Sequence, residues 1–303
     1  MDSPNLKFTV FTATFNRAHL LGRVYESLRN QSFKNFEWLI VDDGSTDKTE
    51  EIVSAWVKEG YLSIRYFKQE NAGKHAALNL GVQAAKGELF LILDSDDRCV
   101  PNALERFDIN WNQITPADKP KFSGIFSNCI NEDNKIIGSK FPVDILDCSF
   151  IDAYYKYNIQ GDKWGFFQTN ILRAYPFPVI KGEKFLTEAI VWNRIALKFQ
   201  TRFINENLLL VEYQVDGLSG RSAQLRIKNP LGAALYYQEF LLLPVSIYWK
   251  LRNLLNYIRF SFHAQLALIR QIKNLRKNSW RLWYFIFLPF GYFIYKKDCR
   301  RFK

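Results

Sequence analysis

Cysteine is scarce in this chain, and its placement excludes more than its number does. The 303 residues hold Cys99, Cys129, Cys148 and Cys299, with no pair at the spacing of a metal knuckle or a redox motif. A small secreted disulfide scaffold is thereby excluded, and free thiols in a reducing compartment are expected. Histidine is scarcer still, at three. Neither His19 nor His75 has partner histidines at ligand spacing, so both are expected to be polar packing or surface residues. No G-x-G-x-x-G follows the first apolar run, which argues against a dinucleotide cofactor. No G-x-x-x-x-G-K-[ST] occurs, which argues against a P-loop nucleotidase. Internal repeats and low-complexity linkers are lacking. The stretch from Met1 to Lys7 is polar and predicts no secretory signal.

Apolar residues make up 48% of the chain, enough for a sizeable core. The length suits one large domain, or one domain with an appendage. Charge divides the chain. From Arg221 onward 16 Lys and Arg face only Glu239 and Asp298, a surplus of fourteen. The preceding 220 residues carry 25 basic and 28 acidic groups. We therefore expect a near-neutral body over residues 1–220 and a basic, aromatic tail over 221–303. Such a tail implies contact with a polyanion.

Strands and helices alternate through the first hundred residues. Phe8–Thr14 reads as a strand, Ala18–Asn30 as a helix of regular apolar period, and Glu37–Val41 as a second strand. Thr46 is a candidate cap for a helix running to Lys58, with Asp47, Glu50 and Glu51 near its start. Leu62–Phe67, Gly73–Ala85 and Glu88–Leu93 read as strand, helix and strand, with Gly87 closing the helix. Pro101 is expected to open another helix, and Thr187–Lys198 to form one further on. This order argues for an α/β fold, a mostly parallel sheet flanked by helices. Ligands bind such sheets at the carboxyl ends of the strands. The polar clusters fall there: Asn16-Arg17, Asp42-Asp43-Gly44-Ser45, Asn71-Ala72-Gly73-Lys74 and Asp94-Ser95-Asp96-Asp97.

The last cluster is the sharpest chemical signal. Three carboxylates in four residues repel one another unless a cation neutralises them. Mg²⁺ and Mn²⁺ prefer oxygen ligands and often bind one or two carboxylates together with substrate phosphates. The plainer alternative is a solvated acidic turn that caps the next helix. Asp42-Asp43 follows another apolar strand, where a carboxylate can accept from a base or a ribose hydroxyl.

These residues resemble the family 2 glycosyltransferases, which have the GT-A fold. The likeness rests on Thr12-Ala13-Thr14-Phe15-Asn16-Arg17, Val41-Asp42-Asp43-Gly44-Ser45-Thr46-Asp47, Asn71-Ala72-Gly73-Lys74 with Asn79 and Gly81, Gly87-Glu88, and Asp94-Ser95-Asp96-Asp97. Gly182-Glu183-Lys184-Phe185 to Glu188, with Trp192-Asn193-Arg194, looks like the family's acceptor-side motif. The resemblance implies that the main chain from Thr12 through Thr14 to Phe15 and the side chain of Asp43 hold the nucleobase. It implies that Asp94 sits by the ribose and sugar, that Asp96, with Asp97, holds a divalent metal (Mn²⁺ or Mg²⁺) on the diphosphate, and that Glu188 is the general base. Arg17, Asp42, Lys74 and Ser95 complete the expected substrate-binding set. Lys74 reads equally as a phosphate partner or a surface lysine. The family is inverting, so a single displacement at the anomeric carbon is implied. The processive branch carries Q-x-x-R-W, which is lacking here, so transfer of one sugar is expected, with uridine as the family's usual nucleotide. Trp164, Phe166, Phe167, Tyr154, Tyr155 and Trp192 are candidate faces for the acceptor, or core packing.

In the tail, Leu282–Tyr295 is fourteen uncharged residues flanked by Lys and Arg. A spanning helix needs about twenty, and this run also holds Pro289 and Gly291. It reads, with Leu231–Trp249, as interfacial helix on an anionic membrane surface contacted through 229–303. The alternative is a helical subdomain packed on the body or on a second copy, as in a homo-oligomer. No charges interleave the aromatics to track phosphates, so no nucleic acid is expected. Together these readings point to a sugar transferase at the cytoplasmic, inner face of the cell membrane. Its acceptor would be lipid-linked or a saccharide, in cell-surface polysaccharide synthesis. Transfer to a polyprenyl phosphate and a non-catalytic nucleotide-binding membrane module are the competing readings.

Overall fold

The computed structural model describes residues 6–212 and 222–302. The expected boundary near residue 220 lies outside the described residues. The chain forms two compact units. One runs through Phe177 and resumes at Arg194. The other joins Pro178–Asn193 to the C-terminal helices.

The first unit is built on strands β1 (Phe8–Thr14), β2 (Phe36–Asp42), β3 (Ile64–Lys68) and β4 (Leu89–Ile92). Helices α1 (Ala18–Arg29), α2 (Thr49–Glu59) and α3 (Lys74–Ala84) alternate with them. Then follow β5 (Arg98–Cys99), α4 (Ala103–Asn112), β6 (Phe122–Ile130), β7 (Ile145–Cys148), α5 (Phe150–Tyr155), β8 (Lys163–Gln168), α6 (Thr169–Ala174), α7 (Ala189–Ala196) and β9 (Gln200–Leu210). The helix α7 crosses from the second unit into the first.

The sheet runs β3-β2-β1-β4-β8-β6-β9-β5, with β7 pairing β9. The strands β1 to β4 are mutually parallel, as the alternation predicts; β8 turns antiparallel to both β4 and β6. Strand alternation sends Phe8 and Val10 to one face, where they join Leu21, Val24 and Leu28 of α1, Val53 of α2 and Phe107 of α4 in one core. Phe11 points to the other face, against α3. On that face Arg173 of α6 donates to the carbonyls of Val82 and Ala85, closing the end of α3. Helices thus cover both faces, and β1, β2 and β4 are buried almost throughout.

Some local expectations are corrected. The helix α2 starts at Thr49 rather than after Thr46, because Asp47 takes the capping role: its Oδ1 accepts from Thr49 N and Oγ1. The helix α3 ends at Ala84 with Ala85 as its cap, and is not closed by Gly87. Gly87 instead opens the approach to β4, with its N–H on Thr9 Oγ1 at 2.8 Å.

The second unit contains α8 (Ser222–Lys228), α9 (Pro230–Phe240), α10 (Ile247–His263), α11 (Leu268–Asn274) and α12 (Asn278–Arg301). Tyr237 of α9, Leu254, Tyr257 and Ile258 of α10, and Trp280 and Tyr284 of α12 share a buried core. The Glu183 carboxylate accepts from the N–H groups of Leu231 and Gly232, both at 2.6 Å, at the amino end of α9. The apolar stretch Leu231–Trp249 is divided between α9 and the start of α10, whereas the run Leu282–Tyr295 lies within one longer helix. In particular α12 runs 24 residues straight through Pro289. Among the described residues, no helix is long and apolar enough to cross a membrane.

Candidate active site

Parallel strands deliver their carboxyl ends to one rim, and the four polar clusters gather there. They are also bonded to one another. Asn16, with φ 53° in the left-handed region that Asn tolerates, donates its N–H to Ser45 Oγ at 2.8 Å. Its own side-chain oxygen accepts from Thr46 N at 2.8 Å. Asp47 Oδ2 accepts from Ala18 N at 3.0 Å. Burial alone would raise the Asp47 carboxyl, but the hydrogen bonds from Thr49 and Ala18 outweigh it and hold it below its ordinary range. The loops after β1 and β2 are therefore one bonded body.

The two adjacent aspartates have different partners. Asp42 is fully buried; its Oδ1 accepts from Ser45 N at 2.7 Å and its Oδ2 from the Tyr66 hydroxyl at 2.6 Å. Burial, then that bond, push the Tyr66 phenol above its ordinary range. Asp43 accepts from Gln69 Nε2 (2.7 Å), Ala72 N (2.9 Å) and Gly73 N (2.8 Å), so it shapes the turn after β3. The turns after β2 and β3 each need a glycine. Gly73 has φ 93° and ψ 157°, a conformation L side chains rarely adopt. Gly44 has φ 85°, and a Cβ there would stand 3.0 Å from Asn71 N.

Thr12 is locked as well: its hydroxyl donates to Leu93 O (2.8 Å) and accepts from Trp38 Nε1 (3.0 Å). Thr14 is buried, and its Oγ1 has no hydrogen-bond partner among the described residues. Phe15, directly after β1, is 46% exposed. The acidic cluster faces two cations: Lys74 Nζ lies 2.7 Å from Asp94 Oδ1, and Arg17 Nη1 lies 3.6 Å from Asp96 Oδ2. Burial, then repulsion from Asp94, raise the Asp96 carboxyl against the pull of Arg17 and Lys74. Asp97 is raised by burial first, then by Asp94 and Asp96, while a main-chain bond from Glu212 opposes. Ser95 is buried between them.

His75, in the first turn of α3, is buried as expected of a packing residue; its Nδ1 has no partner among the described residues, and burial lowers its pKa against the pull of Asp43. His19 is exposed. Glu188 belongs to the second unit, half-buried, its carbonyl accepting from Val191 N (2.9 Å) and Trp192 N (3.2 Å) at the start of α7. Trp164, Phe166 and Phe167, candidate acceptor faces, are core residues of β8, and Trp164 Nε1 donates to Ile92 O at 2.6 Å. Among the described residues, no group of three or more His, Cys, Asp or Glu stands in metal-binding array. A cation here would thus be held by one or two carboxylates and complete its shell on substrate oxygens, which is how Mg²⁺ and its like commonly bind. Excess negative charge at Asp94, Asp96 and Asp97 fits such a cation. Sequence reasoning placed Ser45 at the rim but missed Tyr66 and Gln69, which hold the aspartates with it.

The family model described as "Glycosyl transferase family 2" matches residues 9–111. Glycosyltransferase GlyG of Streptococcus pneumoniae is 30% identical over 218 residues, covering 67% of this chain and 69% of that protein. The GalNAc(5)-diNAcBac-PP-undecaprenol beta-1,3-glucosyltransferase of Campylobacter jejuni is 31% identical over 137 residues, covering 45% of this chain and 42% of its own length. Among solved structures, S. aureus TarS 1-349 in complex with UDP-GlcNAc matches 94% of this chain and 80% of its own, with a TM-score of 0.61 at 17% identity. The mannosyltransferase PcManGT of Pyrobaculum calidifontis, in complex with GDP-Man and Mn2+, matches 98% of this chain and 88% of its own, with a TM-score of 0.58 at 16% identity. These two likenesses establish the GT-A fold.

Proposed function

Because the chain belongs to glycosyl transferase family 2, we propose that it moves one sugar from a nucleotide-diphosphate sugar, a UDP-sugar by preference, to a hydroxyl of a lipid-linked or saccharide acceptor in cell-surface polysaccharide synthesis. The observation that carries this reading is the rim itself, where Asp94 and Asp96 face Lys74 and Arg17 beside the bonded loops of Asn16, Asp43 and Gly73. The UDP-GlcNAc complex of TarS and the undecaprenol-linked glycan in the Campylobacter enzyme's name support the choice of sugar donor and acceptor.

In this reading the exposed Phe15 ring, the free Thr14 hydroxyl and the Asp43 loop receive the nucleobase. Asp42 and Thr12 keep that loop and β1 in place from behind. Asp94 positions the ribose and sugar, and Ser95 holds the turn between the carboxylates. Asp96, with Asp97, would hold a divalent metal, Mn²⁺ or Mg²⁺. When bound, such an ion supplies Lewis-acid stabilisation to the leaving diphosphate. Arg17 and Lys74 add positive charge at the same rim. Glu188 takes the proton from the acceptor hydroxyl as its oxygen attacks the anomeric carbon. The bond to the diphosphate oxygen breaks in the same step, with inversion. General-base assistance of this kind is worth about 10²–10⁴ in rate. The enzyme works at the inner face of the cell membrane, where lipid-linked acceptors are held.

The test is release of nucleoside diphosphate from a panel of UDP- and GDP-sugars with membrane-extracted acceptors, with and without Mn²⁺. One sugar donor is expected to react. Asp96→Asn should lose the metal response, and Glu188→Gln should keep sugar-donor binding while turnover falls about 10²-fold or more. Nucleotide binding without release from any sugar donor would overturn the assignment in favour of a binding module. Normal turnover by Glu188→Gln would remove that residue from its role.

A further inference from the structure

The helix α12 is apolar on two opposite sides, and only one of them is used. Trp280, Tyr284 and Gly291 turn inward onto the α9–α10 core. The inward side is latched further along by Asp298, which accepts from Arg259 Nη2 at 2.8 Å and lies 3.0 Å from His263 Nε2. On the other side Leu282, Phe285, Ile286, Phe290 and Phe293 are each more than half exposed. Their spacings of three, one, four and three residues keep them within one arc of the helix, away from the packed stripe. A cleft of about 410 Å³ opens beside this face, lined by Leu255 of α10 and by Phe287, Phe290, Phe293 and Ile294. Large aromatics exposed in a contiguous patch mark an interaction surface.

Charge decides what covers it. Arg281 precedes the stripe, and Lys296, Lys297, Arg300 and Arg301 follow it. The helix's one acid, Asp298, is turned inward onto Arg259 and His263, so it does not offset those cations. A second copy laid on this face would bring the same basic flanks against them. An anionic surface attracts them. Length settles the mode, since α12 is too short in apolar run to cross a bilayer.

We propose that α12 lies flat in the headgroup region of an anionic bilayer. Leu282, Phe285, Ile286, Phe290 and Phe293 insert, the flanking Lys and Arg sit on lipid phosphates, and the cleft beside Leu255 receives an acyl chain of one of those phospholipids. The inference deepens the membrane location in the functional reading above and rests on it only for its biological setting.

The test is sedimentation of the full chain with vesicles of phosphatidylcholine alone and of phosphatidylcholine mixed with phosphatidylglycerol, both free of isoprenoid lipid. Binding is expected only with the mixed vesicles, and it should weaken as salt is raised. The double variant Phe290→Ser, Phe293→Ser alters exposed side chains. It should keep its helical signal and its donor-dependent nucleotide release with a soluble acceptor, while its vesicle affinity falls about tenfold or more. Reversal of only the flanking charges, Lys296→Glu with Lys297→Glu, should reduce binding to mixed vesicles and leave the helix intact. Absence of binding to mixed vesicles, or equal binding by the serine variant, would overturn the proposal. So would a wild-type dimer that the serine variant dissolves, because a second copy would then cover the face. Binding is read without any sugar transfer, so failure here leaves the transferase reading standing, and failure there leaves this one.

Discussion

Replacing Asp43 by Asn asks whether one carboxylate shapes the rim. The side chain is 5% exposed and accepts three N–H groups: Gln69 and Ala72 on Oδ1, Gly73 on Oδ2. In the variant the amide oxygen can replace Oδ1 and keep the first two, now as neutral bonds. The amide nitrogen then points its hydrogens at the Gly73 N–H, donor against donor. A bond to a charged acceptor contributes about 1.5–3 kcal/mol and a neutral one about 0.5–1.5 kcal/mol. One charged bond lost and two weakened give roughly 3–5 kcal/mol of destabilisation. That is a large part of the roughly 5–15 kcal/mol holding a domain folded. Urea unfolding of the two proteins side by side measures it. Amide exchange locates it: the Ala72 and Gly73 protons should exchange fast in the variant under native conditions. Because Gly73 sits at φ 93°, release of its N–H should let the turn relax and weaken UDP binding with it. A loss below about 1 kcal/mol with unchanged protection at Ala72 and Gly73 would refute the reasoning.

Two further outcomes are expected. Tyr66→Phe strands a buried carboxylate oxygen of Asp42 and should cost about 1.5–3 kcal/mol in urea unfolding, with a measurable loss of UDP affinity by calorimetry; unchanged values in both would show that Asp42 finds another donor. The latch at Asp298 should show a pH edge. Burial would raise its carboxyl, but the bonds from Arg259 and His263 outweigh burial, so its folded pKa lies below its unfolded one of about 3.9. Its stabilising contribution is then full above that value and lost as pH falls through the lower folded pKa. Amide protection along α12 should hold from neutrality to about pH 5 and decline below about pH 4. Protection already lost at about pH 5 would refute this assignment.

The first half of the sheet was legible because apolar period and polar punctuation agree there. β1 matches its expected span residue for residue, and β2 and β4 lie within two residues of theirs. The rim was legible for the same reason, since parallel strands oblige their polar ends to meet. The rest was obscured by specific competition. Asp47 looks like a helix-dipole acid, yet its carboxylate is spent joining two loops, and this moved the start of α2. Asp42 and Asp43 looked alike in sequence; only the position of Tyr66 and Gln69 on β3 and its exit distinguishes their surroundings. The aromatics of β8 read equally as a ligand face, because a strand buried on both sides carries no alternation to show which side is wet. Pro289 counted against a spanning helix in the tail, yet α12 continues past it: its missing N–H falls on the exposed stripe, and packing of the opposite stripe carries the helix through.

The loops after β1 and β2 share bonds through Asn16, Ser45 and Asp47, and this limits how the protein can be re-engineered. Adding or removing a residue in either loop would break all of these bonds at once, so loop length is not a free variable at this rim. Side-chain identity is. Phe15 and Thr46 are exposed within the bonded frame; the Phe15 ring makes none of these bonds, and the Thr46 hydroxyl adds only a 3.4 Å donation to Asn16 Oδ1 beside the shorter bond from its own main chain. A library that varies these two positions at constant length would explore nucleotide preference on an intact scaffold, whereas loop grafts from relatives would fail at the joint before preference could be scored.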